Sequence, residues 1–249
     1  MIAAPVGFQC PECVEKAESA TRSPLTPMGG QVVGDAVVTK IIIGINAGLF
    51  LISFIVGLDS LISQWGMSPV AISVGGEWWR LGTAAFLHGS LLHLGFNMYV
   101  LWVLGPTLES LFGHFRFIVL YALAAVGGSI ASYTFSPVNT ISVGASGAVF
   151  GLMAALIVAG HHLKRDVRQV VILLLINVVI GFLVPNIDWR AHLGGAVVGA
   201  LVAAIMAYAP KQSRVLWQTL GVLAVSLVLV ALMAFGTFQI QQVLVPLSG

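Results

Sequence analysis

The chain has 249 residues, 58% of them hydrophobic and only 8% charged, with a formal net charge of +2 and a mean hydropathy of +1.00. Soluble domains carry about 25% charged residues, so an ordinary soluble domain is excluded and a polytopic α-helical membrane protein is indicated. A transmembrane barrel is excluded as well, because the ~10-residue segments of alternating polar and apolar residues that it needs are missing. So is a nucleic-acid binder, since no basic face with interleaved aromatics is present.

Residues 1–36 read as a polar tail. No apolar run follows a basic start, so a cleavable signal peptide is not expected. The tail holds the only two cysteines, Cys10 and Cys13, in the run CPEC. Zinc takes four ligands, and the segment offers no histidine or further cysteine. A metal half-site completed by another chain, a redox pair, and a reduced pair on a flexible tail are the three readings open there.

A first span is expected near Val37–Leu58. The connector at about 59–84 contains apolar residues but is interrupted by Gly, Pro and Ser, which suits the membrane interface better than a crossing. Further spans are expected near Phe86–Leu104, Phe115–Phe135, Ala145–His161, Val170–Val184 and Trp189–Tyr208, and a seventh near Val215–Phe238. The fourth and fifth are short for a ~30 Å hydrocarbon core, as a site sunk below the surface but reached by water requires. The expected organisation is a tail at 1–36, a six-helix core at 37–208, and an additional span with a C-terminal tail at 209–249.

Lys and Arg in short loops set orientation. With the N-terminus in the cytoplasm, Lys16, Arg22, Lys40, Arg116, Lys164, Arg165, Arg168, Lys211 and Arg214 fall inside, and only Arg80 and Arg190 fall outside. This distribution predicts a cytoplasmic N-terminus and, with seven spans, an external C-terminus.

Polar groups inside a membrane cost free energy and are functional candidates by default. The second span carries His93 and Asn97 four residues apart, hence on one helical face, with His88 about one and a half turns earlier. The fourth opens with Ser146 in GASG, and the sixth has His192 just inside its start. All fall in the outer half of the membrane. Each alone has an ordinary reading, Ser146 as a packing residue and His93 and Asn97 as bonded to helix carbonyls. Together, a hydroxyl, an imidazole and two further donors at one depth are the parts of acyl-transfer chemistry. Asn177, without such company, reads as structural. Gly147 and Gly151 on the fourth span and Gly195 and Gly199 on the sixth form GxxxG faces that let backbones approach closely. One borders Ser146 and the other follows His192 by three residues.

The ordered set Trp79-Arg80 in the first loop, HGSLLHLGFN on the second span, LESLFG at its end, GASG and AHLGG resembles the rhomboid family of intramembrane serine proteases, over roughly residues 77–200. The resemblance implies a six-helix core plus one C-terminal span. It implies Ser146 as nucleophile and His192 as general base, a dyad without a third member. Asn97 and His93 would form an oxyanion hole with the Ser146 amide, and Gly144, Gly147, Phe150 and His88 would support the site. His88 would act as a structural hydrogen-bonding residue. Trp79 and Arg80 would shape the first loop, and Glu109 with Gly113 a turn. Many relatives carry Tyr four residues after the serine; here it is Phe150, which keeps the aromatic face and loses the hydroxyl. Asp188, one turn before His192, is open as a partner for the imidazole.

The resemblance further implies no metal and no cofactor, with single-pass or polytopic membrane proteins as substrates, cleaved near the outer face of the bilayer. The alternative is a non-catalytic relative that binds membrane helices, against which stands the presence of both Ser146 and His192. A transporter is disfavoured because the polar set stops in the outer half.

Overall fold

The structure, a computed structural model, describes residues 2–4, 7–13, 24–185 and 187–244. Lys16, Arg22 and the last five residues of the C-terminal tail lie outside the described residues. The tail holds a two-stranded antiparallel hairpin, β1 (Ile2–Ala4) and β2 (Gly7–Gln9), with Ala4 opposite Gly7. Outside this short hairpin in the tail, every named element of the described residues is helical, the all-α architecture expected. Cys10 and Cys13 follow it as exposed free thiols.

Helix α1 (Val37–Val56) ends at Gly57, whose φ of +94° only glycine adopts without strain. The connector is more ordered than its Gly, Pro and Ser content suggests. It forms α2 (Leu58–Trp65), α3 (Pro69–Ser73), α4 (Arg80–Thr83) and a 3-10 turn at Ala84–Phe86. Ser68 caps α3 and Pro69 occupies its first position, where a missing N–H costs nothing. Arg80 is buried and holds the connector together, donating to the carbonyls of Ser63 at 2.7 Å and Gly66 at 3.0 Å and to Glu77.

Then follow α5 (Leu91–Phe112), α6 (His114–Phe135), α7 (Ser146–His162), α8 (Arg168–Leu183), α9 (Trp189–Tyr208) and α10 (Arg214–Leu244). Two bounds of the second span differ from expectation. It starts at Leu91 rather than Phe86, because Ser90 is extended and its hydroxyl caps the helix by accepting from the His93 N–H at 3.2 Å. It ends at Phe112 rather than Leu104, running through Pro106 to the left-handed Gly113. By length and composition, α1, α5, α6, α9 and α10 can each cross a membrane. The apolar helices α7 and α8 are shorter, with 17 and 16 residues.

α6, α7 and α9 form the centre. A Cβ at Gly128 of α6 would stand 2.8 Å from the Ala191 carbonyl of α9 and 3.2 Å from the Gly147 Cα of α7, so three backbones meet at one point. A Cβ at Gly195 would collide with the Gly147 backbone, and one at Gly199 with Gly151. The two GxxxG faces are therefore paired, residue against residue. α8 lies outside this centre, with only Asn177 and Gly181 buried among its described side chains. Its exposed Ile172, Leu175 and Phe182 suit a hydrocarbon environment.

Cross-links define the two ends of the bundle. At one end the buried Glu109 carboxylate accepts from the amides of Val38 and Thr39, each at 2.9 Å, and from the Thr39 hydroxyl at 2.7 Å. There too Arg116 donates to Gln218, and Gln218 to the carbonyls of Met28 and Met206. His162 packs edge-on against Tyr208 at the same end. At the other end Met67 and Ser142 form an antiparallel bridge, the Gly144 N–H donates to the Ala84 carbonyl at 2.9 Å, and Gln241 reaches the Ser73 carbonyl.

Candidate active site

The polar candidates gather at this second end. Ser146 is the first residue of α7, preceded by Gly144 with φ +130°. A side chain at Gly144 would come 2.7 Å from His93 Nε2 and 3.5 Å from Ser146 Oγ. Backbone conformation and space both require glycine there, and the gap it leaves puts the His93 ring beside the Ser146 hydroxyl.

His192 lies in the first turn of α9. Its ring is stacked on Phe150, with centroids 4.1 Å apart and planes 13° from parallel. Phe150 is one turn after Ser146 on α7, and Gly147 and Ala191, the neighbours of Ser146 and His192, are themselves in contact. Ser146 and His192 thus stand beside a close backbone contact between α7 and α9. Both side chains are half-buried, and no hydrogen bond joins them in this structure.

Asn97 is buried; its Nδ2 donates to the His93 carbonyl at 2.9 Å, and its Oδ1 has no partner among the described residues. One N–H of the amide is thereby left for another acceptor. His88 is not on the second span as expected. It sits in the loop between the 3-10 turn and α5, fully buried, with its ring edge-on to His93 at 5.0 Å. Neither ring nitrogen has a hydrogen-bond partner among the described residues, and its contact with His93 is edge-on packing.

Asp188 does not orient the imidazole. One carboxylate oxygen caps α9 by accepting from the Ala191 N–H at 3.1 Å, and the other accepts from the Ser132 hydroxyl of α6. His192 Nδ1 is buried without a hydrogen-bond partner among the described residues and faces Gly181 of α8. Ser132 and the pair Gly127-Gly128 were missed in the sequence. The run GGSIAS on the third span was their signal, a stripe of small residues ending in hydroxyls. Asn177 donates to the Leu173 carbonyl of its own helix at 2.8 Å, the structural role expected of it. A cavity of about 50 Å³ adjoins the imidazole between α8 and α9, lined by Val178, Phe182, Trp189, His192 and Leu193.

Among the described residues, five helices long and apolar enough to cross a membrane and two shorter apolar ones, packed through a Gly-lined centre, define a multi-pass membrane protein. Residues 75–209, more than half of the chain, match the model of the rhomboid domain. The chain belongs to the rhomboid family. It is 40% identical over 161 residues to the rhomboid protease GluP of Bacillus subtilis (strain 168), covering 63% of this chain and 29% of that protein. It is 28% identical over 233 residues to the rhomboid protease AarA of Providencia stuartii, covering 80% of this chain and 83% of the other. Against RHOMBOID-like protein 5 of Arabidopsis thaliana it is 35% identical over 148 residues, 56% of this chain and 48% of that one. The chain thus spans less than a third of GluP but most of AarA.

Proposed function

We propose that the chain is an intramembrane serine endopeptidase that cleaves transmembrane segments of other membrane proteins. Two of its bacterial relatives are named rhomboid proteases. The observation that carries the reading is the stacking of His192 on Phe150, one turn from Ser146, across the Gly147–Ala191 contact. In this reading Ser146 is the nucleophile. His192 takes its proton and later returns it to the leaving amine. The tetrahedral oxygen is held by the free N–H of Asn97, by His93 and by the Ser146 amide. That amide belongs to the first turn of α7, where helix N–H groups lack partners within the helix.

The substrate segment enters sideways beside α5 and α8, and its end unwinds, since a closed helix hides its carbonyls. The cavity between α8 and α9 takes a substrate side chain next to the imidazole. No metal or organic cofactor takes part. Seven spans, α7 and α8 being the short ones, give a six-plus-one core. Lys40, Arg116, Lys164, Arg165, Arg168, Lys211 and Arg214 are at the end opposite the site. The positive-inside rule then puts that end and the N-terminus in the cytoplasm, with Ser146 toward the outer face.

A fluorophosphonate probe applied to the purified chain tests this reading. It labels wild type, and labelling is lost in Ser146→Ala and strongly reduced in His192→Ala. Labelling that persists in Ser146→Ala refutes Ser146 as nucleophile.

A further inference from the structure

At the end of the bundle far from Ser146, a cavity of about 540 Å³ opens between the segment Leu25–Gly29, the start of α6 and the start of α10. That volume is in the range of ordinary small-ligand sites, about 300–1,000 Å³. Three cations line it: Arg116, Lys211 and Arg214. Among the described residues no carboxylate lines the cavity, and none forms an ion pair with these three. Like charges gathered without a counter-ion repel one another and are stabilised by an anion between them.

The cations are also held in place. Arg116 Nε donates to Gln218 Oε1 at 2.8 Å, and Gln218 is itself fixed by the carbonyls of Met28 and Met206. The Arg214 stem lies over Gly29, whose φ is +82°, and a Cβ there would displace it. Arg214 Nε is buried without a hydrogen-bond partner among the described residues. Ser213 and the first residues of α10 complete the wall, so the positive end of a 31-residue helix adds to the field.

We propose that this cavity binds a phosphate-bearing anion, which neutralises Arg116, Lys211 and Arg214 and ties α10 to α6. Phosphate suits forked guanidinium donors and a helix N-terminus together. The ligand is either the headgroup of an acidic phospholipid at the membrane face or free phosphate. This inference does not rest on the protease reading.

The test uses the full chain in neutral detergent, with native mass spectrometry for adducts and thermal unfolding for stability. Phosphatidylglycerol, phosphatidylcholine and inorganic phosphate are added separately. Wild type is expected to retain phosphatidylglycerol or phosphate and to melt higher with it, while phosphatidylcholine has little effect. The arm that responds identifies the source. Lys211→Gln/Arg214→Gln should weaken that binding about tenfold or more, taking about 1 kcal/mol per cation and tenfold per 1.4 kcal/mol. Arg165→Gln/Arg168→Gln, exposed on the same end, should leave it unchanged. If the double variant does not fold, Lys211→Gln alone serves, since Lys211 is exposed. Failure of both phosphatidylglycerol and phosphate to bind, or equal weakening by the two double variants, overturns the proposal.

Discussion

Phe150 and His192 lie ring on ring, 4.1 Å apart and 13° from parallel, so the aromatic face that positions the imidazole is present without a phenol hydroxyl. Aromatic pairs of this kind contribute about 0.5–1.5 kcal/mol beyond burial. Phe150→Ala should therefore lower kcat roughly three- to tenfold, while Phe150→Tyr retains most activity. Turnover of a transmembrane substrate by the two variants checks this. Equal loss in both would mean that stacking is not the contribution.

The glycine contacts predict a position-specific pattern of stability. Gly199→Val forces a side chain into the Gly151 backbone and should lower stability by at least about 1–3 kcal/mol, the usual cost of overpacking. Gly48→Ala, with nothing within 4 Å of the added methyl, should be close to neutral. Melting temperatures in detergent compare them, and similar values for the two would contradict the packing described.

Asp188 caps α9 through the Ala191 N–H and accepts from the Ser132 hydroxyl, and under the proposed mechanism it takes no part in the chemistry. Asp188→Asn keeps an oxygen for the Ala191 amide and should leave the shape of the pH–rate profile unchanged. Asp188→Ala loses the cap, worth about 1 kcal/mol, and should reduce both melting temperature and kcat. A changed profile in Asp188→Asn would return the carboxylate to the chemistry.

The two tail cysteines should differ in reactivity. The backbone amides of Cys13 and then Glu12, close to the Cys10 sulfur, lower the pKa of Cys10 from the ordinary thiol value. A lowered pKa means more thiolate near neutral pH, and thiolate is the reacting species. Iodoacetamide at pH 7 should label Cys10 ahead of Cys13, an order that peptide mapping reads directly. The reverse order would show that the Cys13 and Glu12 amides do not set the reactivity of Cys10.

Much of this architecture was readable in the chain because hydropathy and small-residue spacing are strong signals in membranes. The helices near Phe115–Phe135 and Trp189–Tyr208 fall at the expected places, and the GxxxG spacings marked the close-packing faces, although only the structure shows that Gly147 meets Gly195. The start of α5 was misplaced because the cap at Ser90 competes with an unbroken run of apolar residues, and this moved His88 from a helix face into a loop. The short helices of the connector were hidden by their Gly, Pro and Ser, and only Arg80 buried against carbonyls reveals why that segment is ordered. The Ser132–Asp188 link joins residues 56 apart in sequence, a relation that no local pattern encodes.

The most direct measurement is cleavage of a model transmembrane segment in liposomes by wild type, Ser146→Ala and His192→Ala, with Asn97→Ala alongside. Wild type should cleave within or next to the segment, and the two dyad variants should give no product above background. Asn97→Ala should be slower by about 10²–10³, the usual cost of one oxyanion donor. Cleavage by Ser146→Ala at the wild-type rate would contradict the account at its centre.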